Sequence, residues 1–108
     1  MRRGDIVTVA LAGDHGKPRP AIIIQADQTS DTASVLVCLC TSKVEETSPY
    51  RLRVEPTPMN GLRKPTLVQA EKIHAVTRTK CGSVIGRLTP NEIESIDIRL
   101  TFILGLGD

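Results

Sequence analysis

The hydrophobic pattern of this chain changes its period once, at Thr89, and this change limits the folds that are open to it. Before Thr89, the apolar residues form short runs rich in Val, Ile and Thr, separated by segments rich in Gly, Pro, Asp and Ser. Runs of this kind predict short β-strands joined by turns. After Thr89, the apolar residues recur at helical spacing, which predicts an amphipathic helix. We therefore expect a sheet of short strands with one C-terminal helix packed on it.

The predicted strands differ in how much of each is buried. Ser34–Ser42 is apolar at nearly every position, which indicates burial on both faces. Tyr50, Leu52 and Val54 alternate with charged residues, as in a half-buried strand. Thr66–Thr77 is rich in β-formers and is expected to contain a kink. The segments that predict strands are Asp5–Gly13 (whose end is a loop), Ala21–Ala26, Ser34–Ser42, Tyr50–Pro56, Thr66–Thr77 and Gly82–Leu88.

The predicted helix has well-defined start and stop signals. Thr89 is the expected N-cap, Pro90 follows at the first helical position, and Glu92 completes a capping box with Thr89. Gly105 is expected to end the helix. The residues of its apolar face are Ile93, Ile96, Leu100, Ile103 and Leu104.

Length and composition predict one small soluble domain. The 108 residues are 40% hydrophobic and 24% charged, so residues 1–108 can form a single core. No apolar run is long enough to span a membrane, and the N-terminus shows no signal-peptide pattern, so we expect a cytoplasmic protein. The predicted fold class is α+β: a curved antiparallel sheet of about five to seven short strands, forming a small barrel, with a C-terminal amphipathic helix.

The residue types exclude several classes of site. Three cysteines at positions 38, 40 and 81 fit neither a disulfide framework nor a zinc motif, and Cys38 and Cys40 are interpreted as small buried residues on one strand face. No Gly-rich phosphate loop, nucleophile elbow or metal motif occurs, so no metal or cofactor is expected.

The net charge of +2 is compatible with a polyanionic partner. Because Tyr50 and Phe102 are the only Phe, Tyr or Trp residues, recognition of single-stranded nucleic acid by base stacking is not expected.

Polar residues at the ends of two predicted strands form the candidate site. Arg19 stands between Pro18 and Pro20 at the start of the second strand, so its backbone is held in place before any ligand arrives. Thr41 and Ser42 end the third strand. If these two strands are antiparallel neighbours, the start of one lies beside the end of the other. From spacing alone, however, a surface ion pair for Arg19 and a turn role for Thr41 remain open.

Five segments resemble, in order, the MazF/PemK family of bacterial toxins, and together they cover essentially the whole chain. They are RRGDIVTVAL, GKPRPAIIIQAD, VLVCLCTS, NGLRKPTLVQAEKI and GSVIGRLTPNEIESIDIRLTFILGL. The resemblance implies an SH3-like barrel, a homodimer, and cleavage of single-stranded RNA at short sequences, leaving 2′,3′-cyclic phosphate and 5′-hydroxyl ends. It also implies an antitoxin partner, with an acidic, partly disordered C-terminal tail that covers the basic groove.

The resemblance also suggests roles for particular residues. Arg19 and Thr41 match the principal catalytic pair of the family. Lys17, Ser42 and His15 are expected to contribute to the site or to RNA binding, although the interpretation of His15 as a solvated loop residue is the stronger one from the sequence. Some family members have an arginine and an aspartate where this chain has Gln69 and Glu71, so Glu71 keeps a carboxylate there while the arginine is missing.

Two other functions remain open at this stage. Gyrase-poisoning toxins share this fold and act through the C-terminal helix, without the arginine–threonine pair. A non-catalytic RNA-binding barrel would bind RNA in a salt-sensitive way and yield no product.

Overall fold

A computed structural model describes residues 1–11 and 17–107. In these ranges it contains one α-helix, α1 (Pro90–Ile103), and two short 3-10 turns, Asp27–Thr29 and Arg78–Lys80. The strands are β1 (Asp5–Val9), β2 (Arg19–Ile23), β3 (Ser34–Thr41), β4 (Arg51–Val54), β5 (Thr66–Thr77) and β6 (Cys81–Arg87). Each predicted strand segment therefore contains or overlaps an observed strand.

All strand pairs are antiparallel, and they form one curved sheet in the order β4-β5-β3-β2-β1-β6. The predicted curved sheet is confirmed, and it does not close into a complete barrel, because the edge strands β4 and β6 do not pair. The loop after β4 lies between them instead. In this loop, the carbonyl of Met59 accepts a hydrogen bond from the backbone N–H of Arg87 at 3.1 Å. Strand β4 is short and ends before it can pair with β6. The loop after β4 takes the place of that strand pairing.

The predicted kink in β5 is an interruption of its pairing with β3. Cys38 pairs with Ile73, whereas Cys40 pairs with Val68, so two steps along β3 correspond to five along β5. Extra residues of this kind bend a strand and turn side chains in new directions. The irregular part of β5 includes Gln69 and Glu71.

The core has two parts, one on each face of the sheet. Strand β3 contributes Cys38 and Cys40 to one part and Val35 and Val37 to the other, which confirms burial on both faces. Leu36 is the exception, with 42% of its surface exposed. Helix α1 covers the first part through residues such as Ile96 and Leu100.

Helix α1 begins as predicted. The side chain of Thr89 accepts a hydrogen bond from the backbone N–H of Glu92 at 3.1 Å, and the Glu92 carboxylate accepts one from the N–H of Thr89 at 2.8 Å. Gly105 follows the helix with a φ of +69°, a conformation that suits glycine. Within the described ranges, no helix is both long and apolar enough to cross a membrane.

The basic N-terminal segment is largely used in structural contacts. Arg3 pairs with Asp97 of α1 at 2.6 Å. Asp5 accepts a hydrogen bond from the backbone N–H of Arg2 and pairs with Arg87 at 2.7 Å. These contacts link the chain start to both the helix and β6, and they pair the charges of Arg3 and Arg87 with carboxylates.

The outward face of α1 carries exposed apolar side chains beside polar ones. Ile98 and Phe102 are 64% and 72% exposed, and Leu106 beyond the helix is 59% exposed. The ring of Phe102 stacks on Tyr50 with a centroid separation of 6.0 Å. An apolar surface of this kind is typical of a protein interface.

Candidate active site

The strand pairing brings the two principal candidate residues together. In the β2–β3 ladder, Ala21 pairs with Leu39 and Ile22 with Cys38. The same register, continued by two residues, places Arg19 opposite Thr41. Both residues line one open cavity of about 320 Å³ at this end of the two strands. The prediction that the start of one strand and the end of the next form one site therefore agrees with the geometry.

The cavity has mostly cationic and polar walls in the part of the chain that the structure describes. Ser42 and Gln69 line it together with Arg19 and Thr41. The remaining charged lining residues are Lys43, Glu46 and Lys72. Three cations and one carboxylate around such a volume favour an anionic ligand.

Thr41 is half-buried and its hydroxyl is oriented by the turn that follows β3. Its Oγ1 accepts a hydrogen bond from the backbone N–H of Lys43 at 3.2 Å. Because that contact uses a lone pair of the oxygen, the hydroxyl proton can still be donated to a ligand. The turn thus orients Thr41 as a hydrogen-bond donor towards the cavity.

Arg19 is exposed and is the first residue of β2. Its backbone pairs with Val9 of β1, and the prolines on either side restrict its φ and ψ angles. A guanidinium group on a fixed backbone carries several donors in a planar arrangement that suits phosphate oxygens.

Gln69 is almost fully buried, with 6% of its surface exposed. Its Nε2 donates a hydrogen bond to the carbonyl of Leu39 at 3.1 Å. This contact anchors the amide across the irregular pairing of β3 and β5, so that Gln69 has a defined position in the cavity wall.

Glu71 is not among the cavity-lining residues. Its Oε2 accepts a hydrogen bond from Nε of Arg51 at 2.8 Å and forms an ion pair with Nη2 of the same arginine at 2.7 Å. Partial burial raises the pKa of Glu71, but the hydrogen bonds and positive charge of Arg51 outweigh this effect and leave the pKa below its ordinary value. The carboxylate is therefore held as the partner of an arginine.

Of the two remaining candidates, Lys17 does not line the cavity. Lys17 is exposed just before β2. His15 lies outside the described residues. Within residues 1–11 and 17–107, no cluster of three or more His, Cys, Asp or Glu side chains is placed to hold a metal ion.

Sequence reasoning missed four residues of the site region. Lys43 and Glu46 follow Thr41 in the chain, and this proximity was an available signal. Lys72 and Arg51 gave a weaker signal, because their positions depend on the irregular stretch of β5. Arg51 pairs with Gln69 in the β4–β5 ladder, and its Nη1 donates to the carbonyl of Glu46 at 2.8 Å.

The curved antiparallel sheet has a cationic cavity at the ends of its strands. This arrangement is typical of a small domain that binds an anionic ligand or acts on it. Comparisons with known proteins agree with this class of protein. The sequence profile of the PemK-like, MazF-like toxins of type II toxin–antitoxin systems matches residues 2–104. The chain is 39% identical over 108 residues to the "Probable endoribonuclease MazF" of Mycolicibacterium smegmatis, a match that covers 99% of each protein. The chain therefore belongs to the PemK-like, MazF-like toxin family.

Solved structures support the same fold. An "endoribonuclease in complex with its cognate antitoxin" from a mycobacterial species has a TM-score of 0.81 at 24% identity, with 100% of this chain and 98% of that chain covered. The Mycobacterium tuberculosis toxin MazF-mt6 also has a TM-score of 0.81, at 20% identity, with 96% and 99% covered.

Proposed function

We propose that this protein is an endoribonuclease toxin that cleaves single-stranded mRNA at a short sequence without a metal ion, and that a cognate antitoxin neutralises it. The observation that carries this proposal is that Arg19 and Thr41 line the same cationic cavity, in a chain of this toxin family.

The proposed reaction uses the RNA's own 2′-hydroxyl as the nucleophile. The 2′-oxygen attacks the adjacent phosphorus, the bond to the 5′-oxygen breaks, and the products are a 2′,3′-cyclic phosphate and a 5′-hydroxyl. Such a step needs a proton acceptor, a proton for the leaving oxygen, and stabilisation of the charge on the non-bridging oxygens.

Arg19 and Thr41 suit the third of these needs. The Arg19 guanidinium carries a permanent positive charge and two-point hydrogen bonding to phosphate, and it is a poor general base because it does not lose its proton at neutral pH. The Thr41 hydroxyl donates a further hydrogen bond to a phosphate oxygen. Ser42, Gln69, Lys17 and His15 are proposed to contribute to the site or to RNA binding.

The proposed partners follow from the charge and the exposed surfaces. An acidic, partly disordered antitoxin tail would fit the cationic cavity and compete with RNA. The exposed apolar side chains of α1, Ile98 and Phe102, support a homodimer or an antitoxin contact. We further propose that residues 1–108 act as one toxin domain in the cytoplasm.

The decisive experiment incubates the purified protein, free of antitoxin, with a long single-stranded RNA in EDTA, alongside an Arg19→Ala variant of equal thermal stability. We expect discrete cuts with 5′-hydroxyl ends from the wild type and none from the variant. RNA that stays intact with the wild type would refute the proposal. Growth arrest that persists in Arg19→Ala cells would then favour a gyrase-directed toxin, and salt-sensitive RNA binding without product would favour a binding-only protein.

A further inference from the structure

We propose that Glu46 is the general base of the cleavage step, and that the Arg51–Glu71 ion pair positions it. This inference rests on the proposed function, since it assigns the proton acceptor that the reaction requires.

The first argument concerns which carboxylates reach the cavity. Among the described residues, Glu46 is the only carboxylate side chain that lines the cavity with Arg19 and Thr41. Glu71 comes from β5, but its carboxylate is held by a hydrogen bond and an ion pair from Arg51. A group held in that way is a poor proton acceptor, because accepting a proton would break a charge-assisted pair.

The second argument concerns how Glu46 is held. The Arg51 side chain is only 14% exposed and uses two of its nitrogens for Glu71 and the third for the carbonyl of Glu46. The backbone N–H of Glu46 also donates to the carbonyl of Lys43 at 3.0 Å. The Glu46 backbone is therefore tied both to the β4–β5 pair and to the turn after Thr41. In this arrangement Glu71 is a positioning residue, and it acts through Arg51.

The proton and bond changes balance as follows. The ionised Glu46 carboxylate takes the proton of the 2′-hydroxyl as the bond from the 2′-oxygen to phosphorus forms. The bond from phosphorus to the 5′-oxygen breaks, and the leaving oxygen takes a proton from solvent water. Glu46 then returns its proton to the solvent, so the protein ends the cycle unchanged.

The main test compares Glu46→Gln with Glu45→Gln on a short RNA that contains the mapped cut site. Glu45 is the exposed neighbour that does not line the cavity, so its variant controls for loss of one negative charge in the same loop. We expect Glu46→Gln to lower kcat by about 10²- to 10⁴-fold, the usual contribution of a general base, with little change in KM. Glu45→Gln should behave as the wild type, and equal thermal stability of all three proteins excludes a folding defect.

Two further readouts separate a base from other roles. The charged groups that line the described cavity are Arg19, Lys43, Glu46 and Lys72, so a loss of activity towards acidic pH is expected to arise from Glu46. This acid limb of the pH–rate profile should vanish in Glu46→Gln and persist, with a smaller loss of kcat, in Glu71→Gln. A substrate with sulfur in place of the leaving 5′-oxygen needs no proton donor, so it restores the rate only of a variant that lacks one. Because Glu46 is proposed as the proton acceptor, this substrate should not restore the rate of Glu46→Gln.

The possible failures are distinguishable. If the wild type cuts RNA and Arg19→Ala does not, but Glu46→Gln keeps the wild-type kcat and acid limb, the inference is overturned and the proposed function stands. An acid limb that disappears in His15→Gln instead would assign the base to the loop histidine. Restoration of Glu46→Gln by the sulfur substrate would make Glu46 the proton donor. A wild type that does not cut RNA would overturn both proposals.

Discussion

Single residues of the site are held by local hydrogen bonds, and Thr41 is the best defined of them. Its hydroxyl accepts from the N–H of Lys43, which leaves the hydroxyl proton available to a phosphate oxygen. Thr41→Ala should therefore lower kcat by about 10²- to 10³-fold, as loss of one donor to a developing anion commonly does. Single-turnover cleavage of a defined RNA measures this.

The controls for Thr41 are Thr41→Ser, which keeps the hydroxyl, and Thr47→Ala, which removes an exposed hydroxyl from the next loop. Both are expected to retain most of the activity. If Thr41→Ala retained the wild-type rate, Thr41 would have no part in the chemistry.

The Glu71–Arg51 pair makes a prediction about pH and stability. Because the pKa of Glu71 is lowered in the folded state, the pair stabilises the protein at neutral pH. That contribution is lost as the pH falls below the ordinary glutamate pKa and through the lowered value. Glu71→Gln should reduce the free energy of unfolding by up to about 1 kcal/mol at pH 7, since the pair is partly exposed to solvent.

The measurement is urea unfolding of the wild type and Glu71→Gln at a series of pH values. The difference between the free energies of unfolding of the two proteins should shrink towards zero in acid. Glu45→Gln, which removes a carboxylate with no ion pair in the described chain, should show no such convergence. A difference that stayed constant with pH would mean that the ion pair does not stabilise the fold.

The sequence was enough to predict the positions of residues that begin or end a strand. Arg19 and Thr41 could be placed together because antiparallel pairing alone brings their strand ends side by side. Glu71 could not be placed, because its direction depends on the extra residues of β5 and on Arg51, which belongs to another strand. Lys72 was missed for a related reason, because it lies in the same irregular stretch of β5.

At the scale of secondary structure, α1 was the most predictable element because its start signals are local. The capping box formed by Thr89 and Glu92 satisfies two backbone N–H groups that the helix itself leaves unpaired. Thr89→Ala should reduce the free energy of unfolding by about 1 kcal/mol, the usual value of an N-cap side chain.

The matched control is the same substitution later in the same helix. Thr101 is exposed and its hydroxyl donates only to the carbonyl of Asp97. Thr101→Ala is expected to be neutral or slightly stabilising, because alanine has the higher helix propensity. Thermal unfolding of both variants gives the comparison, and equal effects would contradict the capping role.

At the scale of the whole molecule, the sheet is completed by a loop, which the sequence did not reveal. Alternation and turn signals define strands, but whether the two edge strands meet depends on how far β4 extends before its loop. The backbone of Met59 and Asn60 packs against Gly86 of β6, where an added Cβ would collide with main-chain atoms. This close approach needs a glycine at position 86.

Gly86→Ala should therefore destabilise the protein by about 1–3 kcal/mol, the usual cost of overpacking. Gly82→Ala in the same strand is the control, since its Cβ would mainly meet the hydroxyl of Thr8, a side-chain atom that can rotate away. Urea unfolding compares the two. If Gly86→Ala were as stable as the wild type, the contact between this loop and β6 would not hold the curved sheet together.

The β1–β6 register has a practical consequence, because it pairs Cys81 with Val9, a residue of the cavity wall. Burial raises the pKa of Cys38 to about 12 and also raises the pKa values of Cys40 and Cys81, but of the three only Cys81 is partly exposed. A thiol-reactive dye should therefore attach to Cys81 alone in the native protein. The wild-type chain thus offers a single attachment point for a fluorophore, one strand away from the cavity. The fluorescence emission can then report ligand binding without any engineered cysteine.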